Sequence, residues 1–283
     1  MFSLKKISLA IAAATLSLAA NATVVIDLFD GPLQTVTSNT LNLGAPGPDP
    51  VTGVGAGGGL WNSTVTGVAG VIGGQRDLWV DWTQDAFGSG AASAGARPTA
   101  AVIGGIYSLS TGVGVGGHAA IRWDGAQLAT TTPGIAMGLS PLSLNPFDFF
   151  AVNILTSDHP YGIDMYMFTS TGTYSKVTVP GLNLGAPHVQ NIPLGAFLDC
   201  SNTISGGITT CYNGGLLTTI DGNGVDLSNV GALEAIINFD DALALGLDIA
   251  LHDVTVVPEP GSIALVGLAL LGLAGVSRRK AAK

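Results

Sequence analysis

The chain has 283 residues, a formal net charge of −9 at pH 7, and only 10% charged against 47% hydrophobic residues. Residues 23–257 alone, without the two terminal segments, hold four basic side chains against eighteen acidic ones, a formal charge of −14. A nucleic-acid-binding surface must be basic, so the composition excludes that class of function. The composition is compatible with a soluble domain that binds divalent cations or neutral glycans.

Residues 1–22 have the layout of a secretory signal peptide. Lys5 and Lys6 form a basic start, residues 7–19 are apolar, and Ala20-Asn21-Ala22 is a small-x-small cleavage site. The mature chain is therefore expected to begin near Thr23. A retained N-terminal anchor is the alternative, and it is disfavoured because the apolar run is short and ends at that site.

The region from 23 to 257 has the composition of an all-β domain. Glycine is abundant, threonine, valine and isoleucine recur, and lysine and glutamate, which favour soluble helices, are almost absent. Short strands separated by turn residues are typical of a β-sandwich or jelly roll. We therefore predict a single β-sandwich ectodomain. Its strands are expected at 24–29, 35–43, 60–68, 76–83, 101–109, 118–123, 147–155, 163–169, 173–179, 189–194, 208–212, 231–239 and 247–257.

Two hairpins are predicted within this series. Residues 147–155 and 163–169 flank the turn Ser157-Asp158-His159-Pro160, and 173–179 follows 163–169 across Gly172. Both connections are short enough for adjacent antiparallel strands.

The clearest alternation lies at 76–83 and contains two of the four tryptophans. Leu78, Val80 and Trp82 share one face of a regular strand, while Asp77, Trp79 and Asp81 share the other. An exposed tryptophan can stack on a sugar ring, which makes Trp79 and Trp82 candidate glycan contacts. The alternative is that both rings are packed in the protein. Asp77, Asp81 and Asp85 are interpreted as solvated charges on the strand face, with a second calcium site as the alternative.

The two cysteines, Cys200 and Cys211, lie in the exported part of the chain and are predicted to form a disulfide. They are separated by a glycine-containing loop that closes easily, and the bridge would contribute up to ~3 kcal/mol by loop entropy. Two unpaired thiols are the alternative.

No cofactor is expected except a structural calcium ion. The run Asp221-Gly222-Asn223-Gly224-Val225-Asp226 places oxygen ligands on Asp221, Asn223 and Asp226. It departs from an EF-hand loop at Val225 and Ala232, where that loop requires ligands. A Gly/Asn turn without metal is the alternative.

Common catalytic motifs are absent: the sequence contains no HExxH, GxSxG or CxxC. The best acid–base cluster is Asp158-His159 with Asp164 near it in sequence. Turnover that depended on Asp158 or His159 would make the chain a secreted hydrolase. The other interpretation of these residues is an ordinary turn, and no catalytic residue is assigned.

The C-terminal segment, residues 258–283, has three parts. Pro258-Glu259-Pro260 is followed by an apolar stretch within 261–277 and then by Arg278-Arg279-Lys280. The stretch is at the short end of the roughly 17–25 residues that span a bilayer. The basic residues are expected to stay in the cytoplasm, which places the domain outside. A buried C-terminal helix is the alternative, and it is disfavoured because the stretch has no polar face.

This layout resembles the PEP-CTERM sorting signal of Gram-negative bacteria that make exopolysaccharide. The same tail is also catalogued as an ice-binding protein C-terminal segment. The resemblance implies that Pro258, Glu259 and Pro260 are recognised by exosortase, a membrane protease-transpeptidase that releases the cargo or passes it on. It implies a protein anchored in the inner membrane, facing the periplasm, and then delivered to the cell surface or released. It implies nothing about the chemistry of the cargo.

Together these observations predict an exported, non-enzymatic protein of the envelope or extracellular matrix. Its expected role is structural or adhesive, in association with exopolysaccharide. A carbohydrate-binding module is the first alternative and a secreted hydrolase is the second. Binding to polysaccharide that is lost when Trp79 or Trp82 is changed would distinguish the first.

Overall fold

The structure, a computed structural model, describes residues 23–38, 60–62, 65–86, 96–126, 135–145, 147–170, 172–181, 186–198, 209–213, 216–221, 224–238 and 245–258. The strands in these ranges are β1 (Val24–Asp27), β2 (Gln34–Thr37), β3 (Leu60–Asn62), β4 (Asp77–Asp85), β5 (Thr99–Ile103), β6 (Ile106–Ser110), β7 (Val115–Trp123), β8 (Phe147–Ser157), β9 (Tyr161–Ser170), β10 (Thr173–Gly181), β11 (His188–Pro193), β12 (Thr209–Asn213), β13 (Leu216–Asp221), β14 (Ala232–Ile237) and β15 (Asp248–Pro258). Two short 3-10 turns are Ile72–Gly74 and Leu194–Phe197.

The strands form two antiparallel sheets that pack as a sandwich. The seven-stranded sheet has the order β11-β8-β15-β6-β5-β2, and β1 also pairs with β15. The eight-stranded sheet has the order β12-β13-β10-β9-β14-β7-β4-β3. The all-β sandwich predicted from the sequence is confirmed.

Alternate residues of each sheet meet between the two layers and form the main core. Leu78 and Val80 of β4 enter it, as the alternation predicted, and so do Met165 of β9, Phe150 of β8 and Val254 of β15. Each large aliphatic or aromatic side chain buried there contributes about 1.5–3 kcal/mol relative to exposure. The core therefore fixes which face of every central strand points outward.

One ion pair lies inside this core. Arg76 Nη1 is 2.7 Å from Asp27 Oδ1, both side chains are fully buried, and Trp123 Nε1 donates to Asp27 Oδ2 at 2.8 Å. Gln34 accepts from Arg76 Nε and donates to the Arg76 carbonyl. Burial raises the pKa of Asp27, although the Arg76 guanidinium opposes that rise. The network fastens β1 to the start of β4 across the two sheets.

The strand expected at 60–68 is a strand only at Leu60–Asn62 in the described residues, since 65–68 lie outside any strand, and β13 was not predicted. Two further predictions about the strands were wrong for identifiable physical reasons. The expected single strand at 101–109 is the hairpin β5–β6, because Gly104 and Gly105 adopt φ of +58° and +81°, which a two-residue turn of this type requires. The expected hairpin of 147–155 with 163–169 does not form, because β8 and β9 belong to different sheets. The second predicted hairpin, β9–β10, is confirmed.

β15 is a central strand, and it ends at the first residue of the predicted sorting motif. It pairs with β8 along one edge and with β6 and then β1 along the other, and Pro258 is its last residue, opposite Phe147. The predicted membrane span, 261–277, lies outside the described residues. Within the described ranges, no helix has the length and apolar character to cross a membrane.

Candidate functional site

An open groove lies on the outer face of the seven-stranded sheet, where β11, β8 and β15 run side by side. Its volume is about 450 Å³. Polar and apolar side chains share its lining: Asn153, Ile154, Leu155, Pro187, His188, Val189, His252 and Asp253. We refer to it as the β11–β8–β15 groove.

A β-bulge in β15 creates the polar part of the groove. Leu251 pairs with Ile154 and Asp253 with Asn153, so His252 has no partner on β8. Leu251 and Val254 both enter the core, which leaves His252 and Asp253 as two successive residues between them. A bulge of this kind re-aims side chains and is frequent next to functional sites.

The side chains at the bulge are held by one another. Asn153 Nδ2 donates to Asp253 Oδ1 and His252 Nδ1 donates to Asp253 Oδ2, both at 2.6 Å. The His252 side chain is 59% exposed, and its Nε2 is the ring nitrogen that remains for a ligand. The asparagine keeps a second N–H and its carbonyl oxygen. The bulge thus offers fixed donors and acceptors to a molecule in the groove.

The opposite wall is also oriented by hydrogen bonds. His188 Nδ1 donates to the Ala186 carbonyl at 3.1 Å, so its Nε2 accepts from the Tyr161 hydroxyl at 3.1 Å. Burial raises the pKa of Tyr161 to about 12, which keeps that hydroxyl protonated. Beside His188, Val189 is 51% exposed and supplies an apolar surface.

The outer face of the eight-stranded sheet is different, because its side chains are buried as well. We call it the covered face. It contains charged residues that are at most 1% exposed, namely Asp77, Asp81, Arg122, Asp164 and Glu234. Arg122 Nε lies 2.6 Å from Glu234 Oε2, and Lys176 Nζ lies 3.0 Å from Asp164 Oδ2.

Aromatic and aliphatic side chains fill the rest of the covered face. The Tyr166 and Phe168 rings stack at 6.0 Å between centroids, and Trp79 belongs to the same buried cluster. Ile135 and Met137 pack against this cluster from outside the sheet. The covered face is therefore a second, smaller core with ion pairs at its centre.

Burial shifts the pKa of several groups on or beside this face. Burial, reinforced by the nearby charge of Asp124, raises the pKa of Asp77 to about 7. Burial raises the pKa of Asp124 too, although its carboxylate accepts from the backbone N–H groups of Ala126 and Ala136. Burial lowers the pKa of His118 to about 4.

The residues predicted as glycan contacts do not reach the surface. Trp79 and Trp82 are each 1% exposed. Trp82 packs with Val115, and its Nε1 donates to the Gln84 carbonyl at 3.0 Å. The burial of both rings argues against sugar stacking at these positions, while glycan binding itself stays a prediction. The interpretation of Asp77 and Asp81 as solvated charges was wrong, because both are fully buried.

The acid–base cluster proposed from the sequence is not assembled. His159 Nδ1 lies 3.1 Å from Asp158 Oδ1, with both side chains nearly half exposed on the turn between β8 and β9. Asp158 Oδ1 also accepts from the Asp248 backbone N–H at 2.7 Å. Asp164 lies on the covered face and pairs with Lys176 instead.

At the predicted calcium loop, the described part is a turn. Asp226 Oδ1 accepts from the Ser228 backbone N–H at 2.9 Å and from its hydroxyl at 2.7 Å. These bonds lower the pKa of Asp226. Asp221 ends β13, Asn223 lies outside the described residues, and no three acidic, histidine or cysteine side chains gather for a metal in the ranges described.

Several predicted sites fall wholly or partly outside the described residues. Cys211 lies on β12 and Cys200 lies outside, so their bridge stays a prediction. Other predicted residues outside the described ranges are Ala20, Ala22, Glu259, Pro260, Arg278, Arg279 and Lys280.

The groove itself was missed from the sequence, although one signal was present. Leu247, Ile249 and Leu251 alternate with other residues, and then two polar residues, His252 and Asp253, follow in succession. Such a break in period inside an otherwise regular strand is what a bulge produces.

The tail matches a known family of sorting signals. Residues 256–280 match the family model of the PEP-CTERM protein-sorting motif, which confirms the resemblance stated above. No curated protein matches the chain.

Solved structures give only distant likenesses. The family 11 carbohydrate-binding module from Clostridium thermocellum, in complex with a β-1,3-1,4-mixed-linked tetrasaccharide, is 8% identical with a TM-score of 0.35, over 83% of this chain and 95% of that one. PfGH50B is 12% identical with a TM-score of 0.34 over 64% of this chain, and the chain spans 22% of its length. At these TM-scores neither likeness carries an argument about function.

Proposed function

We propose that this exported chain, which carries a PEP-CTERM protein-sorting motif, is a non-enzymatic polysaccharide-binding protein of the cell surface or extracellular matrix. Its ligand is the exopolysaccharide of its own host, and the β11–β8–β15 groove is the binding site. Membrane-bound processing by an exosortase-type protease delivers the sandwich to the place where that polymer accumulates.

The observation that carries the proposal is the mixed chemistry of the groove. Sugars present apolar ring faces with hydroxyl groups around them, and sites for them combine apolar surface with a few fixed polar groups. Val189 and Leu155 supply the first, and the Asn153–Asp253–His252 chain supplies the second. The polar groups are already oriented by their mutual hydrogen bonds, which reduces the entropy lost on binding.

The lining supports binding over hydrolysis. A glycosidase of the usual kind needs two placed carboxyl groups, one acid and one base or nucleophile. Asp253 is the one carboxylate among the residues that line the groove, and both of its oxygens already accept hydrogen bonds. His252 and Asp253 therefore position each other for contact with a ligand.

The net charge of the protein indicates which class of polysaccharide it binds. With a formal charge of −14 on residues 23–257, the mature protein repels an anionic polymer at low ionic strength. We therefore assign neutral polysaccharide as the ligand.

The test is affinity electrophoresis and calorimetry of the released protein with purified host exopolysaccharide. His252→Ala should weaken binding roughly two- to tenfold, because a hydrogen bond is worth about 0.5–1.5 kcal/mol net. Val189→Asp should weaken it further by removing apolar contact. Full affinity in both variants would refute the assignment of the groove.

A matched control exists in the chain. His159 also neighbours an aspartate, with Nδ1 3.1 Å from Asp158, but it lies on an exposed turn and does not line the groove. His159→Ala should bind as the parent does. Equal losses of affinity in His252→Ala and His159→Ala would mean that removing any surface histidine weakens binding, so that the effect would not be specific to the groove.

A further inference from the structure

The end of β15 is enclosed by strands on both of its edges. Val256 pairs with Phe150 of β8 on one side and with Val24 of β1 on the other. It is also fully buried. The pairing with β8 continues through Val257 and Pro258, so the residues leading into the sorting motif belong to the sheet.

A protease would have to bind the end of β15 in an unpaired state. Peptide substrates and ligands are commonly taken as extended chains whose backbone N–H and C=O groups pair with the binding protein. A strand that is already paired on both edges has no such groups to offer. Unless β1 detaches, the backbone from Val254 to Val256, which leads into the motif, has no unpaired edge for a membrane-embedded protease, and Val257 and Pro258 are held on the β8 side.

β1 is the element that can open. It has four residues, its register with β15 is irregular between Val25 and Asp27, and Val24 and Val25 are only partly buried. Its far end is fixed, because Asp27 is bound by Arg76 and Trp123. Detachment of the first two residues of β1 would leave the network intact and free one edge of β15.

We infer that β1 is a clasp over the end of β15, and that its pairing controls how fast the membrane protease reaches the sorting motif. The surface presented to that protease is the end of the sandwich where β1 begins and β15 ends. This inference goes beyond polysaccharide binding and does not depend on the groove.

Two variants test the clasp in the native host, with release of the domain followed by pulse-chase and by intact mass. Val25→Pro removes a backbone donor from β1 and disrupts its pairing. A short Gly/Ser linker inserted after Pro258, followed by a repeated Val-Val-Pro before Glu259, leaves every strand unchanged and places a complete motif after an unpaired segment. Both should be processed severalfold faster than the parent, and combining them should add nothing to the linker alone.

The control is Thr35→Pro, which places proline in another edge strand, β2, away from β15. It should be processed at the parental rate. The linker variant keeps the test decisive even if Val25→Pro fails to fold. Parental processing of the linker variant, or a parent that is never cut, would overturn the inference, and either result would leave polysaccharide binding by the groove unaffected.

Discussion

The free-energy cost of burying charge on the covered face can be measured at Asp77. The side chain is fully buried, its Oδ1 accepts only a long 3.4 Å bond from Gln75, and its Oδ2 has no hydrogen-bond partner among the described residues. Burial and the charge of Asp124 raise its pKa from 3.8 to about 7. We predict that Asp77→Asn stabilises the protein at neutral and alkaline pH.

The sign and size of this stability change follow from the linkage between protonation and folding. A folded-state pKa above the unfolded value means that the folded protein holds the proton more tightly. The stability contributed by this group is therefore complete below about pH 4 and is lost as the pH rises through about 7. A shift of about 3 pKa units, at about 1.4 kcal/mol each, corresponds to roughly 4 kcal/mol by about pH 8.

Urea denaturation of the released protein between about pH 4 and pH 8, followed by tryptophan fluorescence, measures this difference. Asp77→Asn should match the parent near pH 4 and exceed it progressively as the pH rises. Asp85→Asn, at the half-buried end of the same strand, is the control and should not reproduce that trend. A stability difference for Asp77→Asn that stays constant with pH would refute the reasoning, because it would mean that Asp77 ionises in the folded protein without cost.

Three further predictions use the same unfolding assay. Arg76→Met should destabilise the protein by about 3–5 kcal/mol, because it leaves the Asp27 carboxylate buried without its partner. The parent should lose about 3 kcal/mol of stability as the pH falls from about 6.5 to about 4, since burial lowers the pKa of His118 to about 4. His118→Gln should abolish this loss. Trp79→Ala and Trp82→Ala should each cost about 3–5 kcal/mol, because both rings are packed in the protein; a change near zero in either would mean that its ring is exposed in solution.

The sequence predicted the fold class because strand period and turn residues are local properties. On β4, the alternation correctly separated Leu78 and Val80 from Asp77 and Trp79. The alternation could not predict which residues pack against the second face of the strand. Aspartates at alternate positions are typical of a solvated face, and here Asp77 and Asp81 are buried. They share that face with an aromatic cluster against which Ile135 and Met137 pack.

Topology was harder to predict for the same reason. A short turn between two strands is compatible with a hairpin and with a corner that passes from one sheet to the other. The turn between β8 and β9 is a corner and the turn between β9 and β10 is a hairpin, although both are short. Which one forms depends on the partners that complete each sheet, and the partner that β8 takes, β15, comes from the far end of the chain.

The candidate site could be predicted only in part. The tail was recognisable because its motif, apolar stretch and basic end are contiguous in sequence. The groove joins Asn153 of β8, His188 of β11 and the bulge of β15, which are far apart in sequence and become neighbours only through strand order. Short-range patterns can reveal the bulge, but they cannot reveal which side chains it faces.

β15 brings the two proposals into one strand. Asp253 is five residues from Pro258, which is about 16 Å in an extended chain. On both proposals, the tail would hold the domain at the membrane before processing, so a long polymer would have to enter the groove near the lipid surface, and release would remove this restriction. Val254 and Val256 are buried between the two points and keep the bulge in place when the end of the strand opens. Processing can therefore change access to the groove without changing its shape.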